Sequence, residues 1–505
     1  MTKILFKNEV KKKLELLNNK KKIIGLSHGV FDLLHLGHIR HFQETKKLCD
    51  TLIVSVTDDK FVFKGPGRPK FKTKERMEAI AALELVDYVI LSDSLSAEQN
   101  ISLIRPKFYF KGPDYKNNSE DVTGKINFEN KIVKKFGGKT VYTSAAKFSS
   151  THLLNYHENL GKPKDHLKEY IKKKFTFSEI KNLIFNLKSV KPLIIGEVII
   201  DEYNFCEALG KSGKEPMLVV RDVYKEQYLG GSGAICNHLS SFNDNVKLLS
   251  YIGEYKEDLN FIKKKLNKNT TFNFIKKKNS PTIIKKRFID EIVKSKILGI
   301  YSLNDTFISN TEEKKLINKF NILTKKSDLS IISDYGHGLI TKNFAEKIIK
   351  KSKFVAANSQ INSSNIGYHT LDFYKNVDLM IINEKELRHE MRSKHEKIPF
   401  LMKKLSDKMK FKYLVVTRGN SGCLLYKRAN KKFYNSKAYS TLTVDKIGAG
   451  DTMLSILAVC LLKKIDINLS LMISSFCAAQ SVKTIGNKFA VDKSLLLKDL
   501  EHYLY

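Results

Sequence analysis

The chain has 505 residues, 42% of them hydrophobic and none tryptophan, which is too long for one ordinary core and implies two or three domains. Lysine and arginine number 89 against 53 acidic residues, a formal charge of +36. The lysines are scattered in short runs such as "VKKFGGK", "EEKKLINKF" and "FIKKKNS", which argues against a nucleic-acid partner, and the six cysteines, Cys49, Cys206, Cys236, Cys423, Cys460 and Cys477, form no CxxC pair, which argues against a zinc site or disulfide frame.

The N-terminus, "MTKILFKNEVKKK", lacks the long apolar stretch of a secretory signal, and the longest apolar run, near 452–462, is too short to span a bilayer. A cytoplasmic protein without a membrane partner is expected. From 22 to 155, strand candidates "IIGLSHGVF", "TLIVSVTDD", "DYVILSD", "KFYFKG" and "KTVYTS" alternate with helix candidates "LGHIRHFQETKKL", "KTKERMEAIAALEL", "SAEQNISLIR" and "NFENKIVKKF". That alternation predicts an α/β domain with a parallel sheet covered on both faces.

The stretch 156–190 is charged and lysine-rich, with a turn at "GKPKD" and a helix pair after it. It marks the boundary, giving domains at 1–157 and 191–505 with a connection at 158–190. The second domain opens on the strand "PLIIGEVIID", passes through β-like runs ("KLLSYIGE", "TIIKKRFID"), and continues as βα units at "LSIISDYGHG", "KFVAANSQ", "DLMIINEKEL" and "YLVVTRGNSG". A helix follows Gly450, and this half is again α/β.

Two stretches carry phosphate chemistry. "GVFDLLHLGH" (29–38) lies at a strand end running into a helix, where a doubly wound sheet binds its ligands and unpaired N–H groups attract phosphate. His35 and His38 add donors that follow charge developing on a triphosphate, and Gly37 admits close backbone approach. "GAGD" (448–451) opens an apolar helix, so Gly448, Ala449 and Gly450 offer an anion-binding nest and Asp451 a carboxylate to accept a proton. Read alone, GAGD serves equally well as a glycine turn with a capping acid.

The string G-x-F-D-x-x-H-x-G-H resembles the signature of cytidylyltransferase-like nucleotidyltransferases, of Rossmann-like fold. The resemblance implies nucleotide and phosphate contacts at Gly29, Phe31, Asp32, His35, Gly37 and His38, with the histidines catalytic. Through "GRPKFKTKERMEAIAAL" it places Arg68 near the substrate and Arg76 on the following helix, with Lys64 as a triphosphate contact. "KGPDY" matches Lys111, Gly112, Asp114 and Tyr115 to a K-G-x-D-Y run, and "KFSSTHLL" sets Ser149, Ser150 and Thr151 at the phosphates.

From 190 to 490, "IIGEVIIDEY", "GGSG", "NEKE", "VVTRGNSG" and "DKIGAGDT" come in the order of the ribokinase-like (PfkB) sugar kinases. This resemblance implies Asp451 as catalytic base and Gly448–Gly450 as anion hole. It puts Asn383 and Glu386 near Mg²⁺ and phosphates, Thr417, Arg418 and Gly419 near the nucleotide, and Asp201, Gly230 and Gly231 at the sugar. The chain departs from the heptose kinases at Asn358–Gln360 ("ANSQ" for an Asp-Pro-Lys run), at Ala234 in "GGSGA", at Glu197 and at Lys446–Ile447. Loss of that lysine points to a different, unphosphorylated sugar.

Together the halves resemble the bifunctional heptose kinase/adenylyltransferases of ADP-heptose synthesis with the domain order reversed. The resemblance implies ATP (or CTP at the first site), Mg²⁺, a small sugar or sugar-phosphate substrate and a homodimer. The alternative is a working nucleotidyltransferase with a degenerate kinase-like domain that serves binding or oligomerisation.

Overall fold

The computed structural model describes residues 3–62, 69–94, 96–112, 125–144, 165–254, 258–293, 295–362, 364–368, 370–440 and 443–505. The chain divides into two compact units, Met1–Glu169 with Ser494–Tyr505, and Tyr170–Lys493.

The first unit is built on six strands: β1 (Ile4–Leu5), β2 (Ile24–Gly29), β3 (Thr51–Thr57), β4 (Tyr88–Ser92), β5 (Phe108–Lys111) and β6 (Lys139–Tyr142). They pair in the order β1-β4-β3-β2-β5-β6, every pair parallel. The helices are α1 (Lys7–Asn19), α2 (Leu36–Lys46), α3 (Thr73–Ala81), α4 (Glu98–Ile104) and α5 (Lys125–Lys135).

Strand β3, "TLIVSVT", is buried at every position, as expected of a strand covered on both faces. Side chains alternate across it. Leu52, Val54 and Val56 join Phe42, Met77 and Ile80 of α2 and α3, while Ile53 joins Val10, Leu14, Ile101 and Val133 of α1, α4 and α5. Each such side chain contributes ~1.5–3 kcal/mol on burial. From β2 the sheet grows toward β3 on one side and β5 on the other, so its carboxyl end is the switch point that positions a ligand crevice. Strand β1 and α1 were not foreseen: an edge strand of two residues is too short to show a period.

The helix pair that the charged stretch predicted is α6 (His166–Lys174), which spans the division at 169/170, and α7 (Phe177–Asn186), at the start of the second unit. The second unit carries a nine-stranded sheet and a four-stranded one. The larger runs in the order β11-β10-β7-β14-β15-β16-β17-β18-β19. Its strands are β7 (Pro192–Gly196), β10 (Val246–Gly253), β11 (Thr270–Lys277), β14 (Leu329–Asp334), β15 (Val355–Ser359), β16 (Leu379–Asn383), β17 (Tyr413–Thr417), β18 (Cys423–Lys427) and β19 (Lys432–Ser436). Pairing is parallel up to β17 and antiparallel beyond it.

The smaller sheet, β13-β12-β8-β9, is formed by β8 (Val198–Lys211), β9 (Leu218–Gly231), β12 (Ile283–Asp290) and β13 (Lys296–Ser302). "PLIIGEVIID", predicted as one strand, is therefore two strands of different sheets, broken at Glu197. A Cβ at Gly196 would stand 2.1 Å from the carbonyl oxygen of Ser333, so glycine lets the end of β7 lie this close to β14.

Helices α8 (Ser232–Ser240), α9 (Leu259–Lys265), α10 (Asn310–Thr324), α11 (Lys342–Lys351), α12 (Glu384–Glu390), α13 (Ile398–Met409), α14 (Ala449–Leu462) and α15 (Ile467–Ser481) complete the unit, and α16 (Lys493–Leu504) ends the chain. Leu316 and Phe320 of α10, Phe344 and Ile348 of α11, and Leu401 and Leu405 of α13 fill one side of the large sheet. Helix α14 is buried from Thr452 to Leu461, the mark of a core helix rather than a surface one. No described helix is long and apolar enough to cross a membrane, and all six cysteines are buried and none is in a disulfide.

Candidate functional site

In the first unit, β2 ends at Gly29 and the chain turns through Phe31, held at φ +51°. Asp32 is buried and accepts from the backbone N–H groups of Lys70 (2.6 Å) and Phe71 (3.1 Å), tying the returning segment to the turn. His35 is the N-cap of α2, its Nδ1 accepting from Gly37 N at 3.1 Å, which places the ring proton on Nε2 when the imidazole is neutral. The rings of His35 and His38 stack with centroids 3.9 Å apart, and Phe31 abuts His38 edge-on at 5.3 Å. The two imidazoles thus stand together on the helix N-terminus, as the motif predicted.

Two further histidines lie behind them. His28 Nδ1 is 3.1 Å from Ser55 Oγ, and His41 bridges Thr143 Oγ1 (2.9 Å) and Ser27 Oγ (3.1 Å). Burial pushes both down to about 4, so they are neutral packing groups.

Two expected phosphate contacts of this unit are engaged within the protein. Arg76 is buried and braces the turn, giving Nε to Phe71 O, Nη1 to Val30 O, and Nη2 to Thr57 O and Asp59 Oδ1. These bonds tie the guanidinium to the turn that follows β2. Lys111 is also buried and pairs with Glu129 at 3.0 Å, an acid that also accepts from Tyr109 Oη (2.9 Å) and Ala97 N (3.1 Å). Lys64, Arg68, Asp114, Tyr115, Ser149, Ser150 and Thr151 lie outside the described residues.

In the second unit a cavity of about 450 Å³ opens at the carboxyl ends of β14 to β17, between them and the small sheet. Its wall includes Asp201, Gly231, Asn383, Glu386, Thr417, Gly419 and the run Gly448–Asp451, so most residues singled out from scattered motifs converge. Gly448 caps α14 at φ +88°, a left-handed conformation that favours glycine. Asp451, in the first turn of α14, accepts from Tyr335 Oη at 2.8 Å on Oδ1. Burial pushes it up to about 6.

Glu386 is fixed by a capping box. Asn383 Oδ1 accepts from Glu386 N (2.9 Å), and Glu386 Oε2 from Asn383 N (2.7 Å). Ile361 N donates to its other oxygen at 3.3 Å. Burial, with Asp451 nearby, raises it to about 7. Among the described residues no three acidic, histidine or cysteine groups form a metal cage. One buried carboxylate at the wall fits Mg²⁺, which usually keeps waters and substrate phosphates as its other ligands.

On the opposite wall Asp201 pairs with Arg287 at 2.5 Å. A Cβ at Gly230 would fall 2.1 Å from Asp201 Oδ2, so Gly230 leaves room for that carboxylate. Arg418, between the wall residues Thr417 and Gly419, donates from Nη2 to Ser421 O at 3.2 Å within its own turn. Asn358 gives its amide to Ile381 O at 2.8 Å.

Sequence reading missed Lys285, Arg287 and Tyr335, all at this wall. Lys285 and Arg287 are two apart in β12 and so share a face, which was a usable signal in "IIKKRFID". Lys285 is 6% exposed and stands over the rings of Tyr301 (5.4 Å) and Tyr335 (5.6 Å). The cavity therefore holds cations on its small-sheet wall despite "ANSQ".

The family model for pfkB carbohydrate kinases matches residues 191–493, and the cytidylyltransferase-like model matches 26–155. The bifunctional protein HldE of Campylobacter jejuni (strain RM1221) is 25% identical over 300 residues, covering 59% of this chain and 62% of that one. HldE of Desulfatibacillum aliphaticivorans is 37% identical over 149 residues, 29% of each chain. The chain thus spans less than two thirds of the relatives' length. Phosphofructokinase-2 from Escherichia coli, solved in complex with potassium, superimposes with TM-score 0.51 at 12% identity, covering 62% of this chain and 99% of its own. The chain belongs to the pfkB family of carbohydrate kinases, and a cytidylyltransferase-like region precedes its kinase fold.

Proposed function

We propose that this is a bifunctional enzyme of nucleotide-activated sugar synthesis. Residues 191–505 transfer a phosphoryl group from ATP to a sugar or sugar phosphate, and residues 1–157 transfer a nucleotidyl group from ATP or CTP to a sugar phosphate, with 158–190 joining them. A heptose-like substrate is favoured, in keeping with the HldE relatives. The observation that carries the kinase half is the convergence of Gly448–Gly450, Asp451, Asn383 and Glu386 on one cavity. It favours a working kinase over a degenerate one.

In that reading the α14 N-terminus receives the transferring phosphate, because its N–H groups and dipole favour an anion. Asp451 takes the proton of the attacking sugar hydroxyl as that oxygen bonds the γ-phosphorus and ADP leaves. Mg²⁺, when bound beside Glu386, supplies charge neutralisation on the phosphates. Lys285 and Arg287 supply positive charge on the sugar side, which supports a phosphorylated sugar over the unphosphorylated one that "ANSQ" suggested.

At the first site no covalent intermediate is needed. The substrate phosphate oxygen attacks the α-phosphorus and pyrophosphate leaves, while His35, His38 and the α2 N-terminus neutralise the developing charge. Pyrophosphate release from ATP or CTP with D-glycero-β-D-manno-heptose 1-phosphate, in wild type and His38→Ala, tests this half.

The cellular setting is proposed as cytoplasmic, with neither nucleic acid nor membrane as partner, and the assembly as a homodimer. Leu298 and Ile300, two apart on the edge strand β13, are exposed, an apolar stretch of the small sheet that suits a second copy. Light scattering at micromolar concentration tests it, a monomer mass counting against it.

A further inference from the structure

Glu197 is fully buried at the break between β7 and β8, and the transfer step as described gives it no task. Its carboxylate accepts from the backbone N–H groups of Tyr335 (3.1 Å), His337 (3.2 Å) and Leu339 (3.4 Å). A buried acid gathering three main-chain donors fixes a loop rather than a ligand. The same loop is held by Gly336 N on Asp334 Oδ1 (2.8 Å), and by Asn362 and Asn365, whose amides donate to Tyr335 O at 2.7 and 3.2 Å. Gly336 and Gly338 take φ +70° and +85°, conformations that let so short a loop fold onto one carboxylate.

The product of this bracing is the place of one phenol. Tyr335 Oη donates to Asp451 Oδ1, which fixes the carboxylate and leaves Oδ2 for the sugar. We propose that Tyr335 is a positioning residue for the phosphoryl-transfer base and that Glu197 sets the loop that carries it. The proposal rests on the kinase reading above for its catalytic consequence, but not for its structural one.

The charged and titratable groups sharing the wall with Asp451 are Asp201, Lys285, Arg287, Tyr335, Glu386, Cys423, Lys437, Tyr439 and Lys446. From the elements packed on α14, His238 of α8 is bonded to Thr452, and Asp334 of β14 to Tyr374. Tyr335 is therefore the group placed to donate directly to the base. A donor to the ionised form favours that form, so the phenol also counters part of the upward push of burial on Asp451.

The test uses full-length protein carrying carboxyl-¹³C aspartate, the Asp451 resonance being identified by its loss in Asp451→Asn. In Tyr335→Phe, which keeps the ring, the titration midpoint of Asp451 is expected to rise by about one pH unit. Glu197→Gln, which displaces the loop, is expected to move it in the same direction, and it carries the test if Tyr335→Phe fails to fold. A midpoint unmoved in both overturns the proposal.

Turnover of Mg-ATP with D-glycero-D-manno-heptose 7-phosphate is the second readout. Tyr335→Phe is expected to lower kcat about tenfold at unchanged KM for ATP, with its acid limb moved up alongside the titration. A wild-type kcat retained in Tyr335→Phe counts against positioning. If wild type itself does not turn over, the kinase reading fails while the carboxyl titration still decides the role of Tyr335.

Discussion

Arg287 Nη1 stands 2.5 Å from Asp201 Oδ1 on the cavity wall, so the carboxylate expected to face the sugar is already charge-paired. The pair is mostly buried, with side-chain exposures of 12% and 5%, and removing one member of such a pair strands the other. Arg287→Met is therefore expected to destabilise the protein by about 3 kcal/mol in urea melts and to raise KM for the sugar at least tenfold. The matched Asp201→Asn, which keeps a hydrogen-bond acceptor, is expected to cost less stability and to give the same direction in KM.

Asp451 should show the opposite balance between stability and function. Its carboxyl lies at about 6 against an ordinary 3.8, so the folded state holds the proton more tightly than the unfolded one. The stability that goes with this is fully present below the unfolded value and is lost as pH rises through about 6. Asp451→Asn is expected to be inactive as a kinase yet more stable than wild type at pH 8, by about 1–3 kcal/mol. The gain should vanish by pH 4, read in denaturant melts at the two pH values.

The stacked pair at the first site carries its own expectation. His38→Ala is expected to lower pyrophosphate release by a factor of about 10²–10³, the usual size for removing one preorganised donor. Sugar phosphorylation in the same protein should be unchanged. Equal loss in both reactions would mean a folding defect, which circular dichroism separates from a catalytic one.

Glu129 gives a stability test. It and Lys111 are both buried, 3.0 Å apart, and Glu129→Ala also removes the acceptor of Tyr109 and Ala97. A loss of about 3–5 kcal/mol is expected, measured in the full chain. A loss under about 1 kcal/mol would show that the pair contributes little.

Strands β2 to β6 of the first unit were legible as short, largely apolar runs between helical stretches, and "TLIVSVT" is buried from end to end, whereas the two-residue β1 was not. The motif residues His35, His38, Gly448 and Asp451 were legible because helix starts at strand ends need special residues. The backbone bonds of Arg76 and Arg418 were not legible, since a guanidinium in a motif looks the same whether it meets phosphate or braces backbone carbonyls. The break at Glu197 was read through because apolar runs continue on both sides of it, and Gly196 and Glu197 were the local signs. Tyr335, Lys285 and Glu197 could not be placed together from sequence, because their proximity depends on three separate strand ends meeting.

The most direct measurement incubates purified full-length protein with Mg-ATP and D-glycero-D-manno-heptose 7-phosphate and reads the products by mass spectrometry beside Asp451→Asn. The account predicts a heptose bisphosphate from wild type that disappears in the variant. Absence of the bisphosphate from wild type, or its persistence in Asp451→Asn, would contradict it.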